Sequence, residues 1–223
     1  MNTVPISAPA LPATASPLRG LLGPCLRGAL FVLLITGVAY PLATTGVAQL
    51  VLPQQANGSL VERGGAVVGS ALIGQWFEGA AYFHPRPSAT TAPDAQDASK
   101  SVAAPYNAAA SLGSNQGPTN PALIANVQQR VAAYRQANGL AQDASVPVDA
   151  VTASASGLDP HISVANAQLQ AARVAQACGL AVARAQQLVQ QHTEGRVLGL
   201  LGEPRVNVLR LNLALDALKA GKE

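Results

Sequence analysis

The chain has 223 residues, a formal net charge of +3, and only 11% charged and 4% aromatic side chains. Setting aside Arg19 and Arg27, 12 Lys and Arg stand against 11 Asp and Glu, which leaves no basic face for nucleic acid and too few aromatics for a base-stacking platform. The length suits one domain of about 150 residues with an anchor.

Residues 1–25 open rich in Pro, Ala, Ser and Thr, the composition of a disordered lead on the cytoplasmic side. Residues 26–52 then form a membrane span. Its core, 28–52 (GALFVLLITGVAYPLATTGVAQLVL), carries no charge, and a helix of that length reaches roughly 37 Å, beyond the ~30 Å of a bilayer's hydrocarbon. Arg19 and Arg27 precede it, and the first carboxylate is Glu62. This bias places the N-terminus in the cytoplasm and everything after about residue 53 outside it. The same stretch also fits a cleaved secretory signal, with Pro41 opening the c-region and Gly46-Val47-Ala48 at the cleavage positions. Cys25 and Cys178 fall on opposite sides of an anchored chain, so no disulfide holds the domain.

Residues 53–223 form one extracytoplasmic α+β domain. A polar connector at 53–65 contains the turn signal Asn57-Gly58. Residues 67–77 (VVGSALIGQWF) suit a strand leading into a short helix. In 82–87 (YFHPRP) two prolines stop any regular element. The Ala-, Ser-, Thr- and Pro-rich stretch 88–110 reads as a long surface loop, and 111–118 (SLGSNQGP) as a tight glycine loop. Asn120 caps a helix begun by Pro121, with Leu123, Val127, Val131 and Tyr134 on one face and Asn138-Gly139 as its stop. Residues 146–150 read as a short extended entry and 152–163 as a polar loop. Ser163 caps a helix from 164 to about 178, whose apolar positions include Val164, Ala167, Leu169, Ala171 and Val174. A helix over 182–192, a strand over 203–209 and a closing helix over 211–218 follow.

Catalytic residues are not expected. No lysine follows a glycine-rich turn as a P-loop requires, and Ser154-Ala155-Ser156-Gly157 lacks the first glycine of GxSxG. Asp159, His161 and Ser163 lie close in sequence, but a turn, a cap and a backbone-bonded ring account for them better than acid–base work. Cys178 with His192 reads as core rather than as a nucleophile pair. Three histidines (84, 161 and 192) without CxxC give no metal spacing. The loops that present polar groups on constrained backbone are 82–88, 111–119 and 152–163. Their candidate partner-facing residues are Tyr82, Phe83, Arg86, Ser88, Ser114, Asn115, Asp159, His161 and Ser163, with core-building as the alternative role for each loop.

Together, GSALIGQWF (69–77), YFHPRPSAT (82–90), LGSNQGPTNPAL (112–123), VTASASGLDPHIS (151–163) and HTEGRVLGLLGEPRVNVLRLNLALD (192–216) resemble the C subunit of the bacterial Kdp potassium-transporting P-type ATPase, over about 26–218. The resemblance implies a single-pass subunit of the cytoplasmic (inner) membrane in a four-part potassium pump. Its partners are a channel-like polytopic subunit, the P-type ATPase subunit and a small single-span subunit. It also implies a catalytic chaperone that raises the ATP affinity of the ATPase subunit, with ATP as the associated ligand. The charge bias, however, puts the domain outside, away from cytoplasmic ATP. Two expectations follow. Either the domain caps the outer mouth of the channel-like subunit and affects ATP use through conformation, or polar loops such as 152–163 contact nucleotide; the first is favoured. The rival from another class is a secreted or anchored binding domain unrelated to ion transport. Leu112, Gln116, Cys178 and the long 88–110 stretch depart from the family's usual pattern.

Overall fold

A computed structural model describes residues 17–220, and side chains from 20 to 219. The chain divides into two compact units, residues 1–57 and 58–223. The start of the sequence read as a disordered lead (1–16) lies outside the described residues, whereas 17–25, read as its end, are already helical.

The described part of the first unit is an almost continuous helix: α1 (Pro17–Leu34), a π-helical turn (Ile35–Ala39) and α2 (Tyr40–Val51), followed by the single turn α3 (Pro53–Ala56). Its stretch Gly20–Val51, 32 residues, is long and apolar enough to cross a membrane, and none of its hydrophobic window is buried within the chain. The π turn has a local cause. Pro41 has no N–H to give the helix and its ring crowds the preceding turn, so the backbone widens just before it and the Tyr40 N–H reaches back to Ile35 O. Thr36 and Thr44 turn their hydroxyls onto Val32 O (2.8 Å) and Tyr40 O (2.9 Å), which hides both polar groups from an apolar surrounding.

The second unit mixes helices and short strands. Strands β1 (Leu60–Arg63) and β2 (Ala66–Ser70) form an antiparallel hairpin. Strands β3 (Thr91–Pro93) and β4 (Ser101–Ala103) form a second one inside the stretch read as a long loop. Its signal is weak because Thr90 rather than an apolar pattern fixes it: Thr90 Oγ1 donates to Ala104 O (2.6 Å) and accepts from Asn107 N (3.1 Å). No short helix follows β2. The Gly74 N–H goes instead to Leu158 O (2.8 Å) and Gln75 Nε2 to Val68 O (2.7 Å), which draws 71–77 into an irregular path. Helix α4 (Pro121–Ala137) starts as expected, with Asn120 Oδ1 accepting from Ala122 N (2.9 Å). The entry at 146–150 is not extended: α5 (Val148–Val151) is one helical turn.

The core gathers behind the remaining elements. Strand β5 (His161–Ser163) pairs antiparallel with β7 (Arg205–Asn207), which also pairs with β6 (Thr193–Glu194). Alternation along β5 sends Ile162 into the core, opposite Val206, and leaves His161 and Ser163 half-buried on the other face. Ser163 Oγ then caps α6 (Val164–Ala177) by accepting from Asn166 N (3.1 Å). Helices α6, α7 (Val182–Gln191) and α8 (Val208–Ala220) bury Ala167, Ala171, Val174, Ala185, Leu188, Val189, Leu211 and Leu215 against Phe83 and the sheet. Small alanines on α6 and α7 let these helices approach closely, and leucines from α8 fill the remaining volume.

Candidate functional site

The candidate loops converge on one seam, where the 82–90 segment runs between the 151–163 loop and helices α6 and α8. Side chains grip its backbone in sequence. Arg173 donates to Ala80 O (2.7 Å) and Tyr82 O (3.0 Å). Asn212, fully buried on α8, accepts from Phe83 N and donates to Phe83 O, both at 2.9 Å. Gln170, fully buried on α6, does the same for His84, accepting from its N–H (2.7 Å) and donating to its carbonyl (3.2 Å). Two side-chain amides thus replace a neighbouring strand, satisfying backbone groups that burial would otherwise leave unpaired.

Farther along, Arg86 Nη1 meets Asp159 Oδ2 at 2.9 Å, and Tyr106 Oη donates to Arg86 O (3.1 Å) and Asp159 O (3.2 Å). Ser88 Oγ donates to Gly157 O (2.8 Å) and accepts from Tyr106 N (3.1 Å). Burial works to raise the Asp159 carboxyl, but hydrogen bonds from His161 and Arg86 outweigh it and hold the group below its ordinary range. Burial, with the Asp159 charge beside it, raises the Tyr106 phenol, which stays a donor. The His161 ring lies between Asp159 (3.7 Å) and Glu194 (3.5 Å). Asp149 receives the Ser163 N–H and hydroxyl, both at 2.8 Å.

Of the candidate residues, the structure brings Tyr82, Phe83, Arg86, Ser88, Asp159, His161 and Ser163 to this seam. Ser114 and Asn115 are exposed on the 111–119 loop, which is tied to the seam through Ser111 Oγ and Ser156 O (2.9 Å). Phe83 cannot face a partner: it is 0% exposed and belongs to the core. Ser88 and Ser163 spend their hydroxyls within the fold, and Arg86 its Nη1 and Nη2, while its buried Nε has no partner. Sequence reasoning missed Gln170, Arg173, Asn212, Tyr106 and Asp149. The available signal was Asn166 and Gln170 one helical turn apart beside the core alanines, and Asn212 in phase with Val208 and Leu215.

The chemistry of this seam is positional. Ser163 Oγ is occupied by Asp149 and by the cap, and the His161 ring faces carboxylates rather than a hydroxyl or thiol. Cys178 Sγ lies 3.4 Å from Ala81 O, and His192 Nδ1 bonds Leu188 O of its own helix (3.0 Å). No group of His, Cys, Asp and Glu suited to a metal occurs among the described residues. An open cleft of about 370 Å³ beside the seam is lined by Arg86, Asp149, Asp159, His161 and Arg205, a mixture of both charge signs.

The seam carries a pH dependence. Burial, and then the Arg173 charge, lower the pKa of His84, so the folded chain holds it neutral with Nε2–H donating to Gly79 O (2.8 Å). The unfolded chain takes up that proton near the ordinary value of about 6.5. It therefore binds more protons below that pH, and stability falls with pH from about 6.5 down to the folded pKa. The Asp159 contribution comes from a shift in the same direction, downward from the carboxylate range. It is intact above the ordinary carboxylate range and disappears only as pH falls through the lowered folded value. Melting curves between pH 7 and pH 5 are expected to drop more for the wild type than for His84→Gln, whose amide retains a donor. Parallel curves would refute the assignment.

Against known proteins, residues 22–217 match the family model described as KdpC, the K+-transporting ATPase c chain. The chain belongs to this family. It is 60% identical over 186 residues to a protein of Rhodopseudomonas palustris named potassium-transporting ATPase KdpC subunit, covering 83% of this chain and 92% of that one. A Mycobacterium bovis protein of the same name is 56% identical over 201 residues, covering 90% of this chain and all of its own length. One from Bradyrhizobium diazoefficiens is 57% identical over 186 residues, covering 83% and 91%. Family membership removes support from the alternative of a binding domain unrelated to transport.

Proposed function

We infer that the chain is a non-catalytic accessory subunit of a Kdp potassium-transporting ATPase, anchored by its N-terminal helix. The observation that carries this is the family match spanning both the apolar helix and the mixed domain. The helix crosses the cytoplasmic membrane once with its N-terminus inside, because Arg27 stands at its start and no charge follows until Glu62. The domain then lies outside, caps the channel-like polytopic subunit, and stabilises its assembly with the P-type ATPase subunit and the small single-span subunit. It holds no cofactor tightly. Its influence on ATP affinity passes through the conformation of the complex rather than through contact with nucleotide. The seam supports a scaffold of this kind: paired amides and the half-buried Arg86–Asp159 ion pair hold its loops in one shape, as a rigid docking module needs.

The test is purification of the C-terminally tagged chain in mild detergent from potassium-starved cells, with intact masses of everything recovered. A full-length chain accompanied by a polytopic subunit and a P-type ATPase is the expected result. A chain recovered alone and shortened near Ala48 would overturn both the anchor and the assembly.

A further inference from the structure

The turn joining β6 to β7 departs from the economy of the rest of the domain. Leu198 is 87% exposed and Leu200 82%, and Val197 and Leu201 beside them are exposed too. Four aliphatic side chains within five residues thus project into solvent at a cost in hydration. The turn is nonetheless fixed in shape. Val197 N donates to Leu201 O (2.9 Å) and Leu201 N to Val197 O (3.0 Å). Leu198 sits at φ +54°, a left-handed conformation that a branched side chain adopts only under constraint, with Gly199 following at φ +74°. At the neck, Arg196 Nη2 meets Glu203 Oε2 at 2.7 Å. Arg205 and Arg210 are engaged by Glu194 at 3.3 and 3.6 Å.

Two occupants fit exposed leucines, and these details separate them. A fluid hydrocarbon layer makes no demand on backbone shape, so a locked turn with a strained leucine gains nothing there. Three arginines around the turn stand against two carboxylates, Glu194 and Glu203, which leaves an excess of only one positive charge to draw anionic headgroups. A concave pocket on another protein, by contrast, rewards a preorganised apolar plug whose ordering is complete before binding.

We propose that the 197–201 turn is a docking plug that seats Leu198 and Leu200 in an apolar pocket of a partner protein. Resting on the assembly reading above, that partner is the polytopic subunit. The ATPase subunit does its nucleotide chemistry on the other side of the membrane, and a single-span subunit is too small to build a pocket.

Two measurements on the tagged full-length chain test this. The first is recovery of the polytopic subunit with the double variant Leu198→Gln, Leu200→Gln, compared with wild type. Recovery is expected to fall at least tenfold while the melting temperature of the chain itself stays within about 2 °C, since neither side chain is part of the core. The second is a benzophenone amino acid at position 198, irradiated in native membranes, which is expected to give an adduct with the polytopic subunit. Wild-type recovery of the complex together with unchanged recovery by the variant would overturn the plug and leave the assembly standing. An adduct with lipid alone would overturn it in favour of the bilayer. Failure of the wild-type chain to bring down any partner would remove the assembly reading and the plug together.

Discussion

Gly157→Ala is expected to destabilise the second unit by roughly 2–5 kcal/mol, lowering its melting temperature by about 4–20 °C. Two costs combine. Gly157 stands at φ +69°, where an L side chain loses about 1–2 kcal/mol. A methyl group there would also lie 2.7 Å from Leu112 O, 2.6 Å from Thr90 Cγ2 and 3.2 Å from Ser88 Oγ. None of these can retreat cheaply. The Leu112 N–H is bonded to Ser156 O (3.0 Å), Thr90 is buried with its hydroxyl on Ala104 O, and Ser88 Oγ bonds Gly157 O. Overpacking of that kind adds about 1–3 kcal/mol. Gly117→Ala is the companion variant: nothing lies within 4 Å of its Cβ position, so it should shift stability by no more than about 0.5 kcal/mol. Thermal melts of the two proteins in the same detergent decide the matter, and equal melting temperatures would show that the loop junction at Gly157 is not as tight as its geometry indicates.

Asn212→Ala is expected to cost about 2–6 kcal/mol, because it orphans two backbone groups at once. The Phe83 N–H and carbonyl both pair with this one amide, and Phe83 and Asn212 are buried beyond the reach of water. Each unpaired group costs about 1–3 kcal/mol. Asn126→Ala, on the exposed side of α4, is the matched control, since it removes the same amide from a residue with nothing to hold. Hydrogen exchange adds a local readout: the Phe83 amide should lose protection in Asn212→Ala well beyond the change in global stability. If its protection falls only in step with global unfolding, Asn212 is a packing residue and not the clamp of the seam.

Much of the helical framework was legible in the sequence because its signals are local. Asn120 and Ser163 cap as their side-chain chemistry dictates, and both oxygens accept an N–H two or three residues on. What escaped was whatever depends on distant pairing. The Thr91–Pro93 strand carries no apolar alternation and is held by Thr90 and by a partner ten residues away. The buried amides were hidden by their own polarity. On α6 the expectation put Leu169 among the apolar positions, yet Leu169 is only half-buried while Gln170 is fully enclosed. Gln170 turns inward to serve the His84 backbone, and a hydrophobicity pattern has no means of reporting that service. The same reason explains Phe83. Its segment is short, polar and proline-bound, and only the amides of Gln170 and Asn212 make its burial possible. Arg86, Ser88 and Asp159 are among the candidate partner-facing residues, but Arg86 and Asp159 pair with each other and Ser88 turns to the Gly157 carbonyl.

The widened turn at Ile35–Ala39 has a consequence for how the N-terminal apolar helix would meet other helices. In an unbroken α-helix, Gly28 and Gly46 are 18 residues apart and therefore superpose after five full turns of about 100° per residue. The π turn inserts in effect one extra residue between them, which swings the second half by roughly 100° relative to the first. Substitutions scanned along the span will therefore follow one azimuthal phase up to Leu34 and another from Tyr40 onward. A helical wheel drawn with a single period across residues 20–51 would merge two distinct stripes into noise. Pro41→Ala, by letting the backbone close to a regular helix, should bring the two stripes back into alignment, visible as a single phase in the same scan.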